Sequence, residues 1–540
     1  MFDLLITGGS LVDGTGTAAR VADVGVRQDR IAAVGDLAAA EAQRRIDATG
    51  LIVAPGFIDA HAHSDAYLLL EPDAPSKLAQ GITTEINGQC GGSAVPRLGR
   101  ARLSSDWASH VYPQLDGIAQ TISRCPSVGP TWTTVASYRA LFDAVRPALN
   151  TVQFIGHNTL RAGVMGYEPR AADPADLQAM RLNLEQALDE GGWGLSTGLL
   201  YQPGKYAEEG EIAALARAAA AHGGLYATHM RSEGGRLLES IDEVLDLVRR
   251  TGIRAQISHL KTSGPANWHK LDAALERIDA ARADGVAVHS DRYPYTASGT
   301  DLDVVLPDWA SAGGRDVILA NLRDPAARAR IADELNASGR DWASVMIGGG
   351  WSETVRACSG RTLADAADAL GLSPGETVCR FVEADETRTG AFFFGMCVEN
   401  LRRIYAQPWV MPGSDASLRA PWGPLGQDHP HPRAYGTMPR YLRLMTGGEP
   451  GFAALCGLEE AVRRMTELPA QAFGLRDRGV LRAGAYADLA VFDPKSFTDS
   501  ATYAQPHQFA HGMRHVIVNG ACSYSEGTFT GARRGRFLER

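Results

Sequence analysis

Eight short apolar runs, at residues 51–59, 82–86, 151–156, 193–196, 225–229, 254–259, 286–290 and 409–412, alternate along this chain with Ala-, Leu- and Arg-rich stretches. Short runs without polar alternation suit strands buried on both faces, and strands alternating with helices imply a parallel sheet. Eight such units predict an α/β fold of the (β/α)8 TIM-barrel type, whose chemistry gathers at the C-terminal ends of the strands. Helices are expected at 174–189, 209–222 and 237–251. Two spans break the rhythm. Residues 91–150 hold an extra helix-and-loop segment, and residues 299–405, after the seventh run, exceed any barrel connection and predict an inserted subdomain or lid. The two ends have β texture: residues 3–7, 21–26 and 30–34 are strand-like between glycine turns, and 479–494 and 515–520 read as turn and strand. The expected organisation is a small β-domain from residues 1–50 and 475–540, beside a hydrolase barrel over 51–474 with its insertion at about 299–405.

Composition narrows the function. Of 540 residues, 45% are apolar and 21% charged, so a large core is within reach and wholesale disorder is excluded. The net charge of −9, with no long basic run, argues against nucleic acid and anionic membranes as partners. No uncharged apolar run is long enough to span a bilayer, and the opening Met1-Phe-Asp-Leu-Leu-Ile-Thr lacks the basic flank of a signal peptide. Seven scattered cysteines, an odd number, argue against a disulfide framework and for a reducing compartment. A soluble cytoplasmic protein acting on a small molecule is expected.

The chemistry-bearing residues cluster at the predicted strand ends. The first run closes in Asp59-Ala-His61-Ala-His63, and side chains two apart on a strand point the same way. Two imidazoles on one face are half of a divalent metal site. Cys90 follows the second run, His229 ends the fifth, His259 ends the sixth and Asp415 follows the eighth. Each alone reads most simply as a structural residue, but chance does not readily bring all six to one barrel mouth. Imidazole, thiolate and carboxylate together are typical zinc ligands.

On these residues the chain resembles the amidohydrolase superfamily, and within it the N-acyl-D-amino-acid deacylases, or D-aminoacylases. The resemblance runs from the N-terminal strands through Pro55-Gly-Phe-Ile-Asp-Ala-His-Ala-His63 to the Ala487-Asp-Leu-Ala-Val-Phe-Asp493 tail. Most metal-dependent members bridge two metals with a carboxylated lysine on the fourth strand. Here that strand reads Gly192-Trp-Gly-Leu-Ser-Thr-Gly198, without lysine, while Asn87-Gly-Gln-Cys90 matches the cysteine that D-aminoacylases use instead. The resemblance implies one tight zinc at Cys90, His229 and His259, with room for a second, weaker one facing His61, His63 and Asp415. It makes Asp415 the catalytic proton carrier.

The same resemblance supplies substrate-binding residues. His431-Pro-Arg433-Ala-Tyr-Gly-Thr-Met-Pro-Arg440 matches a family motif whose first arginine binds the substrate carboxylate, here Arg433. Lys261, Tyr293 and Ser298 are expected to share that carboxylate, Tyr201 to lie near the reacting amide, and Arg231 to orient ligands or the lid. The segment 416–428 is longer than in the D-aminoacylases and is expected to shape the side-chain pocket. Two alternatives stand beside this reading. A cyclic amidase of the dihydropyrimidinase or hydantoinase type is disfavoured by Cys90 and the missing lysine, and a non-catalytic scaffold by the complete donor set.

Overall fold

The computed structural model describes residues 1–101, 132–449 and 451–540. Cys125 and half of the extra segment expected near 91–150, residues 102–131, lie outside the described residues.

The barrel strands, numbered around the barrel, are β1 Phe57–Asp59, β2 Ile82–Asn87, β3 Asn150–Gln153 continued at Ile155–Gly156, β4 Gly194–Gly198, β5 Leu225–His229, β6 Arg254–Ile257, β7 Val288–Arg292 and β8 Val410–Pro412. All adjacent pairs are parallel, from β1–β2 round to β7–β8. The ring closes through Ala60 N–H to Pro412 O at 3.4 Å and a parallel bridge between Ala62 and Ala416. Helices form where the local signals ask for them. Pro174–Asp189 begins with Asp173 accepting from Ala175 N and Asp176 N at 2.8 and 2.9 Å, and Asp176 accepts in return from Asp173 N at 3.0 Å. Leu237–Thr251 turns Leu237, Ile241, Val244, Leu245 and Val248 inward and stops at Gly252 in the left-handed region.

Some expected boundaries are corrected. The apolar run 51–59 is two strands. Ile52–Pro55 pairs antiparallel with Leu489–Phe492 outside the barrel, and only Phe57–Asp59 enters it. Gly56 joins them, and a Cβ there would stand 2.3 Å from the Thr83 side chain. The run 151–156 is interrupted at Phe154, whose N–H goes to Asn87 O at 2.9 Å. His259 lies beyond the end of β6. Apolar character marks depth in the core, whereas a strand ends where its ladder partner does.

Both ends of the chain build a β-sandwich. One sheet orders Arg30–Gly35, Asp23–Arg27, Phe2–Thr7 and Ala42–Asp47. The other, seven-stranded, combines Thr528–Phe529, Ala521–Ser525, Met513–Val518 and Leu489–Phe492 with Ile52–Pro55, Ser10–Leu11 and Arg20–Val21. Leu4, Ile6, Val24 and Val26 pack there against Val53, Leu489, Val491 and Ile517. After β7 the chain forms an inserted unit. Its antiparallel sheet orders Ala297–Asp301, Gly390–Phe394 and Val345–Ile347, over a core of its own that includes Leu302, Ile331, Val378 and Phe381.

Candidate metal centre

The backbone turns the donors inward by unusual means. Beyond β1 the chain stays extended: Ala62 N–H bonds Ile86 O at 2.9 Å and His63 N–H bonds Ala416 O at 3.2 Å. His61 and His63 therefore share a side, with ring centroids 5.2 Å apart. Cys90, His259 and Asp415 each follow a barrel strand with φ of +53°, +37° and +49°. A left-handed conformation costs a non-glycine residue on the order of 1–3 kcal/mol and persists only where the surroundings over-determine it. They do so here: Asp415 N–H bonds His61 O at 2.8 Å, and His259 N–H bonds the Asp291 carboxylate at 3.1 Å.

Two overlapping donor groups result. His61, His63, Cys90 and Asp415 form one, and Cys90, His229 and His259 the other, with the donor atoms of each group within 4.8 Å of one another. Cys90 Sγ belongs to both, 3.3 Å from His61 Nε2, 3.4 Å from His259 Nε2 and 3.8 Å from His229 Nδ1. Asp415 Oδ1 lies 3.1 Å from His63 Nε2 and 3.4 Å from His61 Nε2, while its Oδ2 meets Arg433 Nη1 at 2.7 Å. Burial would raise the Cys90 thiol, but the charges of His61 and His259 bring it well below its ordinary value, toward the thiolate that binds metal. Burial likewise opposes ionisation of Asp415, and Arg433 overrides it, holding the carboxyl well below the usual carboxylate range.

Around the donors stands a layer that the sequence reading passed over. Asp291, at the end of β7 and fully buried, faces His61 Nδ1 at 3.2 Å. Glu233 accepts from His259 Nδ1 at 2.8 Å and lies 3.7 Å from His229 Nε2. A carboxylate on the far nitrogen fixes the tautomer and orientation of a ligating imidazole. Lys77, entirely buried, bonds Asp59 Oδ2 and Ser414 Oγ at 3.0 Å each and Glu85 Oε1 at 2.8 Å, tying β1 and β2 to the Asp415 turn. The available signals were position alone: Asp291 at a strand end, and Glu233 one helical turn's spacing past His229.

A cavity of about 230 Å³ opens over the donors, lined by the predicted Tyr201, Lys261, Tyr293, Ser298 and Arg433 together with Glu233. The Tyr201 ring packs 4.8 Å from His229. Lys261 Nζ contacts Glu233 and lies 2.7 Å from His259 Nδ1, so it is already engaged with the donors' carboxylate. Tyr293 is fully buried, and its hydroxyl has no hydrogen-bond partner among the described residues. Arg433, the first residue of helix Arg433–Thr446, lies over the Tyr293 ring at 4.6 Å and donates to Gly299 O at 3.2 Å. The expectation for Arg231 is corrected. It bonds Glu243 at 2.9 and 3.0 Å and Ala207 O at 2.6 Å, bracing the loop and helix beside β5 instead of touching a donor. The Ala416–Asp428 segment does reach the site, since Ala416, Ser417, Arg419 and Asp428 line a second cavity beside the first. Among the described residues no helix is long and apolar enough to cross a membrane.

Comparison with known proteins agrees with this geometry. Over 538 residues the chain is 38% identical to an N-acyl-D-glutamate deacylase of Alcaligenes xylosoxydans xylosoxydans, covering all of this chain and 96% of that protein. It is 38% identical to a D-aminoacylase of the same organism, covering 98% of it. The solved N-acyl-D-glutamate deacylase of Bordetella bronchiseptica, complexed with zinc and a phosphonate inhibitor, superposes with a TM-score of 0.81 at 37% identity over the full length of both chains. The amidohydrolase family model matches residues 44–524. With donors at the strand ends, a sandwich made from both termini and this whole-length likeness, the chain belongs to the amidohydrolase family.

Proposed function

We propose that this protein is a zinc-dependent hydrolase that cleaves the amide bond of linear N-acyl-D-amino acids, releasing a D-amino acid and a carboxylate. The observation that carries the reading is Cys90. Its thiol is common to both donor groups, while β4, Gly194–Gly198, offers no lysine. That arrangement favours a D-aminoacylase over a cyclic amidase, and the complete donor set disfavours a scaffold.

The donor chemistry fits zinc. Cys90, His229 and His259 would hold the tight ion, and His61, His63 and Asp415, with Cys90 shared, a weaker second one. When bound, zinc polarises the amide carbonyl and makes hydroxide available near neutral pH. Asp415 would take the proton of the attacking water at Oδ1 and return it to the leaving nitrogen. Its Oδ2, 2.7 Å from Arg433, stays clamped meanwhile. The unpartnered Tyr293 hydroxyl, with Arg433, Lys261 and Ser298, would receive the substrate α-carboxylate, and Tyr201 would stand beside the reacting amide. A cytoplasmic location accords with the six described cysteines, all free thiols.

The test joins metal analysis to a substrate panel. Purified protein should contain zinc and deacylate N-acetyl-D-amino acids while sparing their L-enantiomers and hydantoin. Cys90→Ala should lose zinc and turnover together. Full zinc content with normal turnover in that variant, or equal turnover of both enantiomers by the wild type, overturns the reading.

A further inference from the structure

The two permanent cations that line the cavity over the donors, Lys261 and Arg433, both have acid partners. Lys261 contacts Glu233, and Arg433 Nη1 stands 2.7 Å from Asp415 Oδ2. An arriving α-carboxylate therefore competes with two protein carboxylates for them. A third cation lies close by and is not paired. Arg292, the last residue of β7, is 1% exposed and has no ion pair among the described residues, and its Nε and Nη1 have no hydrogen-bond partner there. Only Nη2 is engaged, donating to Tyr295 O at 2.9 Å and touching the Met396 sulfur at 2.8 Å. Asp291, its chain neighbour, points to the other face of the strand, where His61 Nδ1 at 3.2 Å and the His259 N–H at 3.1 Å take it up.

An unpaired buried guanidinium is costly for a folded protein. Its surroundings show where the charge is directed. The guanidinium carbon lies 4.1 Å from the centre of the Tyr293 ring, nearer than that of Arg433 at 4.6 Å or Lys261 Nζ at 5.8 Å. Tyr293 lines the cavity over the donors and Arg292 does not, so the ring stands between the guanidinium and the cavity. A cation against a phenol ring draws electron density from it and makes the hydroxyl a stronger donor to an anion. In a low-dielectric interior the charge itself also acts over several ångströms, with little screening by salt. Since Arg433 and Lys261 each stand beside an acid, Arg292 is the positive charge whose compensation is left to a ligand.

We propose that Arg292 is a positioning residue for the substrate: from behind the Tyr293 ring it strengthens the hold of that hydroxyl on the α-carboxylate, without touching the substrate itself. This rests on the deacylase reading above and adds to its carboxylate site a residue that lies outside the cavity.

The test uses the zinc-loaded full-length enzyme. It follows the N-acetyl-D-amino acid turned over fastest in the panel above beside its α-carboxamide, which has no carboxylate and is read as a competitive Ki where it is not turned over. Arg292→Gln removes the charge and should raise KM for the acid at least about tenfold at nearly constant kcat, with a much smaller effect on the amide. Arg292→Lys, which keeps the charge, should recover most of that loss. In a Tyr293→Phe background Arg292→Gln should cost clearly less, because the hydroxyl it acts through is gone. Equal losses on acid and amide, a Lys variant as impaired as the Gln variant, or full additivity with Tyr293→Phe each overturns the proposal and leaves deacylation intact. Arg292→Met takes the place of Arg292→Gln where the latter does not fold. Should neither neutral variant fold, the charge serves the fold itself, and the proposal is overturned. Failure of the wild type on every N-acetyl-D-amino acid of the panel removes the deacylase reading and this proposal with it.

Discussion

Asp415 is held so that its two oxygens do different things. Oδ1 faces His63 and His61 at 3.1 and 3.4 Å, and Oδ2 is fastened to Arg433 at 2.7 Å. Asp415→Asn keeps the shape but cannot accept a proton, so kcat should fall about 10²–10⁴-fold. The tight zinc proposed for Cys90, His229 and His259 should stay bound, as metal analysis of the same sample would report. A variant within a few-fold of wild type would assign the proton transfer to another group. Tyr293 makes the complementary case. A buried hydroxyl without a partner destabilises the free enzyme, because its lost hydration is not replaced. Tyr293→Phe should therefore leave the Tm unchanged or higher. It should also raise KM for an N-acetyl-D-amino acid by about ten- to a hundredfold at nearly constant kcat, since a hydrogen bond to a carboxylate is lost. A lower Tm with unchanged KM would make this tyrosine a packing residue.

At the scale of elements, the division at Gly56 decides how the barrel meets the sandwich. Ile52–Pro55 is an interior strand of the seven-stranded sheet and Phe57–Asp59 is β1, so two layers are joined by one residue that must lie against Thr83. Gly56→Ala forces atoms into occupied space and should cost about 1–3 kcal/mol, read from the midpoint of chemical denaturation. Thr83→Ala in the same chain removes both 2.3 Å contacts and should recover part of that loss. Additive destabilisation by the two changes would mean that the junction is not set by this contact. The strand ends show a second elemental effect. Cys90, His259 and Asp415 sit at positive φ just past β2, β6 and β8, where the ladder has released the backbone to turn a donor toward the barrel axis.

For the whole molecule, the donors ride on a barrel with a large apolar core of its own. Phe57, Leu195, Ile257 and Val410, on four of the barrel strands or beside them, pack in one continuous apolar cluster. A chelator that strips zinc should leave the far-UV circular dichroism unchanged and lower the Tm. Re-addition at about a thousandfold over Kd should restore about 4 kcal/mol. Loss of secondary structure on chelation would show that the metal is part of folding. The barrel, the β-domain of both ends and the residues that meet at the barrel mouth were legible in the amino-acid order alone. Strand–helix alternation leaves few ways to bury eight apolar runs, and a donor at a strand end needs only its own strand to be positioned. The sequence did not reveal Asp291, Glu233 or Lys77, and it misjudged Arg231. Each of these acts through a partner distant along the chain or on another element, as Lys77 does with Ser414 and Arg231 with Glu243. Single acidic and basic residues are too common for composition or spacing to pair them. Which charges are satisfied by neighbours is settled only in the folded molecule, because pairing depends on distances set by packing across elements.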